Sequence, residues 1–312
     1  MKRNYGSLFV SIFVLCSALS LLSAPNTEGD WTMRKSDEAG KVEFSLMQSS
    51  KGHHSQNSSS WPLTAFVGLD VATAARHDVH FTVKRDAGTF DCEGFLRDGA
   101  GAGIFRFTAN PSYSQEMEKL GFRGIDADKQ YEMAVLDVSE SFARQMAAEH
   151  LRGLDTDSLI EFRIFGVDTK FIHDMRELGL PADTTSRLVE FRIHGVTPEM
   201  VRELKQQGYS PDEEKLVEMR IHGATPEFLA ALARDGYEHL DLDRVIEFRI
   251  HGVSPEFIEK LHALGYVHPA PEKLVEMRIH GVTPEYITSM QAKGLKDLSI
   301  DKLVEMRIHG ID

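Results

Sequence analysis

The chain has 312 residues, 42% hydrophobic and 27% charged, which is globular composition with room for one repeat array and one smaller domain. Its 35 Lys and Arg against 48 Asp and Glu give a formal net charge of -13. That balance excludes nucleic acid as an expected partner, because phosphate backbones are held mainly by basic footprints.

In chain order, Met1-Lys2-Arg3 precedes an apolar run from Leu8 to Leu22, so residues 1–24 are expected to be a Sec-type signal peptide. Ser23-Ala24 suits cleavage, whereas Leu22 is large for the third position back, which leaves an uncleaved anchor as the alternative. No later stretch of the sequence is long and apolar enough to span a bilayer. The expected location is therefore periplasmic or secreted, with no membrane partner beyond the signal. Cys16 falls within the signal and leaves Cys92 alone in the mature chain, where a buried, inert thiol is expected.

Residues 25–60 read as a polar hairpin and flexible linker. Trp31 to Lys35 and Val42 to Leu46 flank Asp37-Glu38-Ala39-Gly40, a hairpin pattern, and the Ser-rich tract from Ser49 to Ser60 has no apolar period. His53-His54 could touch a metal, but in a solvated tract they are expected simply to be exposed.

Residues 61–109 are expected to form an antiparallel β domain acting as an N-terminal cap. Val79 to Val83, Thr89 to Phe95 and Ile104 to Thr108 alternate with period two between Gly-containing turns. The string Gly99-Ala100-Gly101-Ala102-Gly103 is a hairpin signal and not a phosphate loop, since a strand pattern follows where a helix start would be required.

Residues 110–312 are a tandem array of about seven units. Its signature glycines are Gly166, Gly195, Gly223, Gly252, Gly281 and Gly310, so the spacings by difference are 29, 28, 29, 29 and 29. Unit starts fall at Asn110, Ser139, Asp168, Thr197, Thr225, Ser254 and Thr283. Each start predicts a helix. In Ser254-Pro255-Glu256-Phe257, Ser can cap, Pro suits the first turn, and Glu sits at the positive end of the dipole. The second element, Leu274 to His280 and its equivalents, carries Pro, Asp or Glu before it and Gly after it, which are helix signals. Its strict alternation also fits a strand. The reading is α+β, a β-meander followed by an α/α solenoid of 28–29-residue repeats, with a β/α horseshoe-like solenoid as the alternative.

Three polar columns recur, and they are the candidate interaction residues. The Glu column holds Glu161, Glu190, Glu218, Glu247, Glu276 and Glu305; the Arg column Arg163, Arg192, Arg220, Arg249, Arg278 and Arg307; the His column His194, His222, His251, His280 and His309. If the element is helical, Glu and His share a face at i, i+4, while Arg points among Leu, Met and Val and must pair its head, with Glu285 and its equivalents the expected partners. Glu and His at that spacing can both ligate a metal, so a metal-responsive module is the alternative function; two ligands per copy do not close a site, and no cofactor is expected. No nucleophile lies beside a base in supporting context, and a feature repeated five or six times is unlike one asymmetric catalytic centre, so no enzyme is expected.

By the unit Arg249-Ile250-His251-Gly252-Val253-Ser254-Pro255-Glu256-Phe257, the chain resembles a family of exported bacterial repeat proteins with tandem Arg-Ile-His-Gly-Val-Thr-Pro-Glu-Phe units. Such units also look like extensions of bacterial membrane metallopeptidase sensors of the beta-lactam-receptor kind, and the segment from Asp86 to Phe107 is similar to what precedes the repeats there. The likeness covers roughly residues 79–312. It implies a non-enzymatic scaffold for protein partners in the cell envelope, with a role in sensing, and carries no protease activity, because this sequence holds no zinc-protease motif. Oligomeric state is left open.

Overall fold

The computed structural model describes residues 26–50 and 53–311, so the expected signal lies outside the described residues. Two compact units result. One contains the described residues up to Tyr113 together with Ile125–Val135, and the other contains Ser114–Gly124 and the residues from Leu136 onward.

In the first unit, seven strands form one antiparallel sheet: β1 (Asn26–Lys35), β2 (Lys41–Ser50), β3 (His53–Pro62), β4 (Phe66–Val67), β5 (His77–Arg85), β6 (Gly88–Arg97) and β7 (Ala100–Ala109). Their order is β3-β2-β1-β7-β6-β5-β4. The expected boundary at residue 60 is absent, because β1 pairs with β7 and the N-terminal hairpin is continuous with the meander. The Ser-rich tract expected to be a flexible linker is strand β3, paired with β2 from Ser50↔His53 to Lys41↔Pro62. Its order comes from backbone pairing, with buried Trp61 at one end and a bond from the Ser45 hydroxyl to the Ser58 hydroxyl of 2.8 Å; neither produces an apolar period.

The sheet curls around one aromatic core. Trp31 lies 5.1 Å from Phe81 and Phe44 5.1 Å from Phe66, joining strands far apart in the sheet order, and Phe66 lies 5.6 Å from Phe81 on the neighbouring strand. Curling that tightly requires bare backbone beside the indole. Gly103 is paired to Trp31 and to Gly94, and a Cβ at Gly94 would meet Trp31 Cζ2 at 2.7 Å. Cys92 is buried in the same core, as expected, and burial pushes its thiol well above the ordinary range, keeping it protonated and inert.

After β7 come α1 (Tyr113–Lys119) and α2 (Ala127–Val135). Residue 110 is thus not a clean boundary, because α2 packs into the sheet unit. Tyr131 contacts Phe90, Phe105 and Phe107, and buried Gln130 donates to the carbonyls of Ala87 and Asn110 at 2.7 Å each. Those partners lie in β6, β7 and their flanking turns, where α2's own sequence gives no hint of them.

Beyond most of α1, the second unit is built from helices: α3 (Glu140–Ala148), α4 (Thr156–Phe165), α5 (Thr169–Glu177), α6 (Thr185–His194), α7 (Pro198–Gln206), α8 (Glu213–His222), α9 (Pro226–Arg234), α10 (Leu242–His251), α11 (Pro255–Ala263), α12 (Pro271–Ile279), α13 (Pro284–Ala292) and α14 (Ile300–Ile308). Both elements of every copy are helices, which settles the strand alternative. The even-numbered helices stack in the order α4, α6, α8, α10, α12, α14, and the odd-numbered ones form a second layer.

Local chemistry explains each helix. Ser139, Asp168, Thr197, Thr225, Ser254 and Thr283 accept from the amide three residues on, capping the odd helices at the expected starts. At the other junction the signature Gly is left-handed, φ 71° at Gly195 and 73° at Gly252. The following Val then donates back, Val196 to Phe191 O and Val253 to Phe248 O at 2.8 Å, and is itself buried. The Gly-Val pair therefore both ends one helix and anchors the chain for the next.

Gly252→Ala places a Cβ at positive φ and within 2.8 Å of Arg278 Nη2. It should destabilise the array by about 1–2 kcal/mol, read by urea denaturation followed at 222 nm.

Candidate interaction face

The Arg column turns toward the preceding copy. Arg163 Nε donates to Leu136 O at 2.8 Å, Arg220 Nε to His194 O at 3.1 Å, Arg249 Nε to His222 O at 3.4 Å and Arg278 Nε to His251 O at 3.2 Å; Arg192 Nη2 donates to Gly166 O. These acceptors are the last carbonyls of the preceding even helix, at the negative end of its dipole. All guanidiniums of the column but that of Arg220 also lie over the aromatic ring of the preceding odd helix, among them Arg192 over Phe171 at 4.0 Å, Arg249 over Phe228 at 4.9 Å, Arg278 over Phe257 at 5.1 Å and Arg307 over Tyr286 at 4.7 Å. At Arg220 the equivalent position is Met200, so the carbonyl contact is made without a ring. Hydrogen bonds from Arg163, Arg192, Arg220, Arg249 and Arg278 go to carbonyls one copy back, while the expected Glu285 equivalents stay within electrostatic reach, Glu285 of Arg278 and Glu227 of Arg220.

The Glu column is paired within its own layer. Each cation at the start of an even helix bridges the Glu three residues on and an acid in the first turn of the next even helix. Arg187 holds Glu190 and Glu214 at 2.7 Å each, Arg244 holds Glu247 and, at 2.9 Å, Glu272, and Lys273 holds Glu276 at 2.6 Å and Asp301 at 2.5 Å. Lys215 joins Glu218 to Asp243 in the same way, and Lys302 meets Glu305 at 2.8 Å. In α4 the cation is replaced by Ser158, which closes a capping box with Asp155. Glu161 is left without a cation there, and burial together with the like charges of Asp155 and Asp157 holds its carboxyl above the usual carboxylate range.

The His column has no hydrogen bond or ion pair from its ring nitrogens among the described residues. His222, His280 and His309 are exposed, and His194 and His251 half-buried. No three of His, Cys, Asp and Glu are grouped so as to hold a metal ion among the described residues.

Sequence reasoning missed the residue between Arg and His. Ile164, Ile193, Ile221, Ile250, Ile279 and Ile308 are each 53% to 59% exposed, one per even helix from α4 to α14, in register along the stack. Alternation had grouped this Ile with Val and Met, as in Val275-Glu276-Met277-Arg278-Ile279. In the helix Val275 and Met277 are buried while Ile279 swings into solvent. Six equivalent apolar side chains make a stripe larger than scattered surface residues would give.

The sheet unit offers a different surface. Glu28, Asp30, Asp91 and Glu93 surround Ile104 and Arg106 on its outer face, with Arg106 Nε donating to Glu28 at 2.9 Å and His80 Nε2 2.6 Å from Asp91. It is an open, partly neutralised patch.

Comparison with protein-family models, with curated proteins and with solved structures found no match.

Arg249→Lys keeps the charge but loses the planar contact with Phe228, and should cost about 1 kcal/mol in urea denaturation. A folded-state carboxyl titrating above its unfolded value contributes a penalty that grows as pH rises through that window. Glu161→Gln should therefore stabilise by about 0.3 kcal/mol at neutral pH and by nothing measurable at about pH 3, checked by melting at both.

Proposed function

We propose that the array is a non-enzymatic scaffold for a protein partner in the cell envelope, engaged through the exposed isoleucine column. That column carries the reading. The Arg and Glu columns are occupied in joining copies, whereas the isoleucines stand more than half exposed and recur at the same place in every even helix from α4 to α14. A repeated apolar contact gives many small increments of affinity along one face, and the whole exceeds any single contact. The signal-like start of the sequence supports export to the periplasm or beyond, and the likeness to sensor extensions supports a role in envelope sensing.

The test is the triple variant Ile221→Ser, Ile250→Ser, Ile279→Ser. Because these side chains are half in water, its stability should stay within about 0.5 kcal/mol per site of the parent. Mild crosslinking in the native envelope should join a partner to the parent and not to the variant. Equal crosslinking of both, or of neither, would overturn the proposal, and cell fractionation placing the chain in the cytoplasm would overturn its location.

A further inference from the structure

Beside the isoleucine column runs a second row, seven residues earlier on the same helices: Glu214 for Ile221, Asp243 for Ile250, Glu272 for Ile279 and Asp301 for Ile308. Seven residues are two helical turns, so acid and Ile share one side of each even helix and stand about 10 Å apart along its axis. The bridging cations do not cancel this row. Between α6 and α14 the ladder contains nine carboxylates and five cations. The cations also lie deeper. Side chains of Arg187, Lys215, Arg244 and Lys273 are 24% to 38% exposed, against 66% to 77% for Glu214, Asp243, Glu272 and Asp301. Solvent therefore meets carboxylate oxygen above half-buried ammonium and guanidinium, parallel to a line of half-exposed Ile.

We infer that this face takes a basic amphipathic α-helix of a partner protein, laid along the stack across the even helices, its apolar flank on the isoleucines and its Lys and Arg flank on the acidic row. The dimensions agree. A helix with side chains is about 10–12 Å across, matching the separation of the two rows. Stacked helices repeat at about 8–10 Å, close to the rise of one heptad, so one apolar residue about every seventh meets successive Ile rungs. The charge agrees too, since a row of exposed carboxylates selects a cationic flank and repels an acidic one. Apolar contact holds the helix in place, while the acidic row sets its polarity and speeds encounter. This inference rests on the scaffold reading and adds the chemistry of the partner.

The probe is a labelled synthetic Leu/Lys helix of about four heptads, with a Leu/Glu version of the same pattern and a scrambled Leu/Lys peptide as controls, measured against the full chain by fluorescence anisotropy. Expected is binding of the Leu/Lys helix alone, weakened about tenfold or more by the triple Ile→Ser variant and several-fold between about 50 mM and about 300 mM salt. The variant Glu214→Gln, Asp243→Asn, Glu272→Gln should weaken binding and flatten the salt dependence. Equal binding of the acidic helix, equal binding of the scrambled peptide, or undiminished binding to the triple Ile→Ser variant would each overturn the inference, as would no binding at all. If the helix fails while envelope crosslinking still depends on the isoleucines, the partner chemistry is wrong and the scaffold stands. If crosslinking is indifferent to them, the scaffold itself falls.

Discussion

The arginine that reaches back one copy is the contact on which the helical unit depends. An even helix ends at a left-handed glycine with carbonyls of its last turn left without partners in the helix itself. The next copy supplies a guanidinium that donates to those carbonyls and lies flat on the ring beside them. Hydrogen bonds from a charged donor contribute about 1.5–3 kcal/mol each, and a ring contact at a partly exposed site about 0.5–1 kcal/mol more. A copy of 28 or 29 residues has too little core to hold two nine- or ten-residue helices by itself. Cohesion therefore lives between copies, and the clasp is its polar part.

Other links run in the same layer and in the opposite sense. The ladder of shared cations joins each even helix to the next one near its start, while the clasp joins it to the previous one near its end. Tyr237 and Tyr266 reach forward to the carbonyls of Pro269 and Leu298 at 2.7 and 2.8 Å, fastening the loops before the following even helix. With the start, the end and the connecting loop each tied to a neighbour, an even helix has little freedom to rotate about its axis. That fixed rotation keeps the isoleucines in line, and it links the stability of the stack to the character of its face.

Much of this was legible in the sequence, for reasons that are local. A cap residue acts on an amide three positions away, and a terminating glycine on a carbonyl within the same turn, so Thr197, Ser254, Gly195 and Gly252 announced helix ends without any knowledge of neighbours. The hairpin over β1 and β2 was readable from its turn. What escaped notice depends on contacts far along the chain. Strand β3 is ordered by its pairing with β2, α2 leaves the array because Tyr131 finds the rings of β6 and β7, and Arg249 meets a carbonyl 27 positions back. The isoleucine column was hidden by a coincidence of periods: Val, Met and Ile at every second position mimic a strand, and only the helical turn separates the third from the first two.

The shared-cation ladder has one more consequence. From α6 onward each copy offers its successor equivalent acceptor carbonyls and a bridging cation, Arg or Lys, of the kind it receives from its predecessor, and in most copies an aromatic ring. Copies are thus interchangeable parts with matched couplings at both ends, and excising or duplicating a 29-residue cassette between, say, Gly223 and Gly252 leaves no mismatched joint. Array length becomes a quantity that evolution or an engineer can adjust in whole steps, lengthening or shortening the face without redesigning it. The copy built on α4, with Ser158 for the cation and Phe165 for the histidine, is tailored to its place.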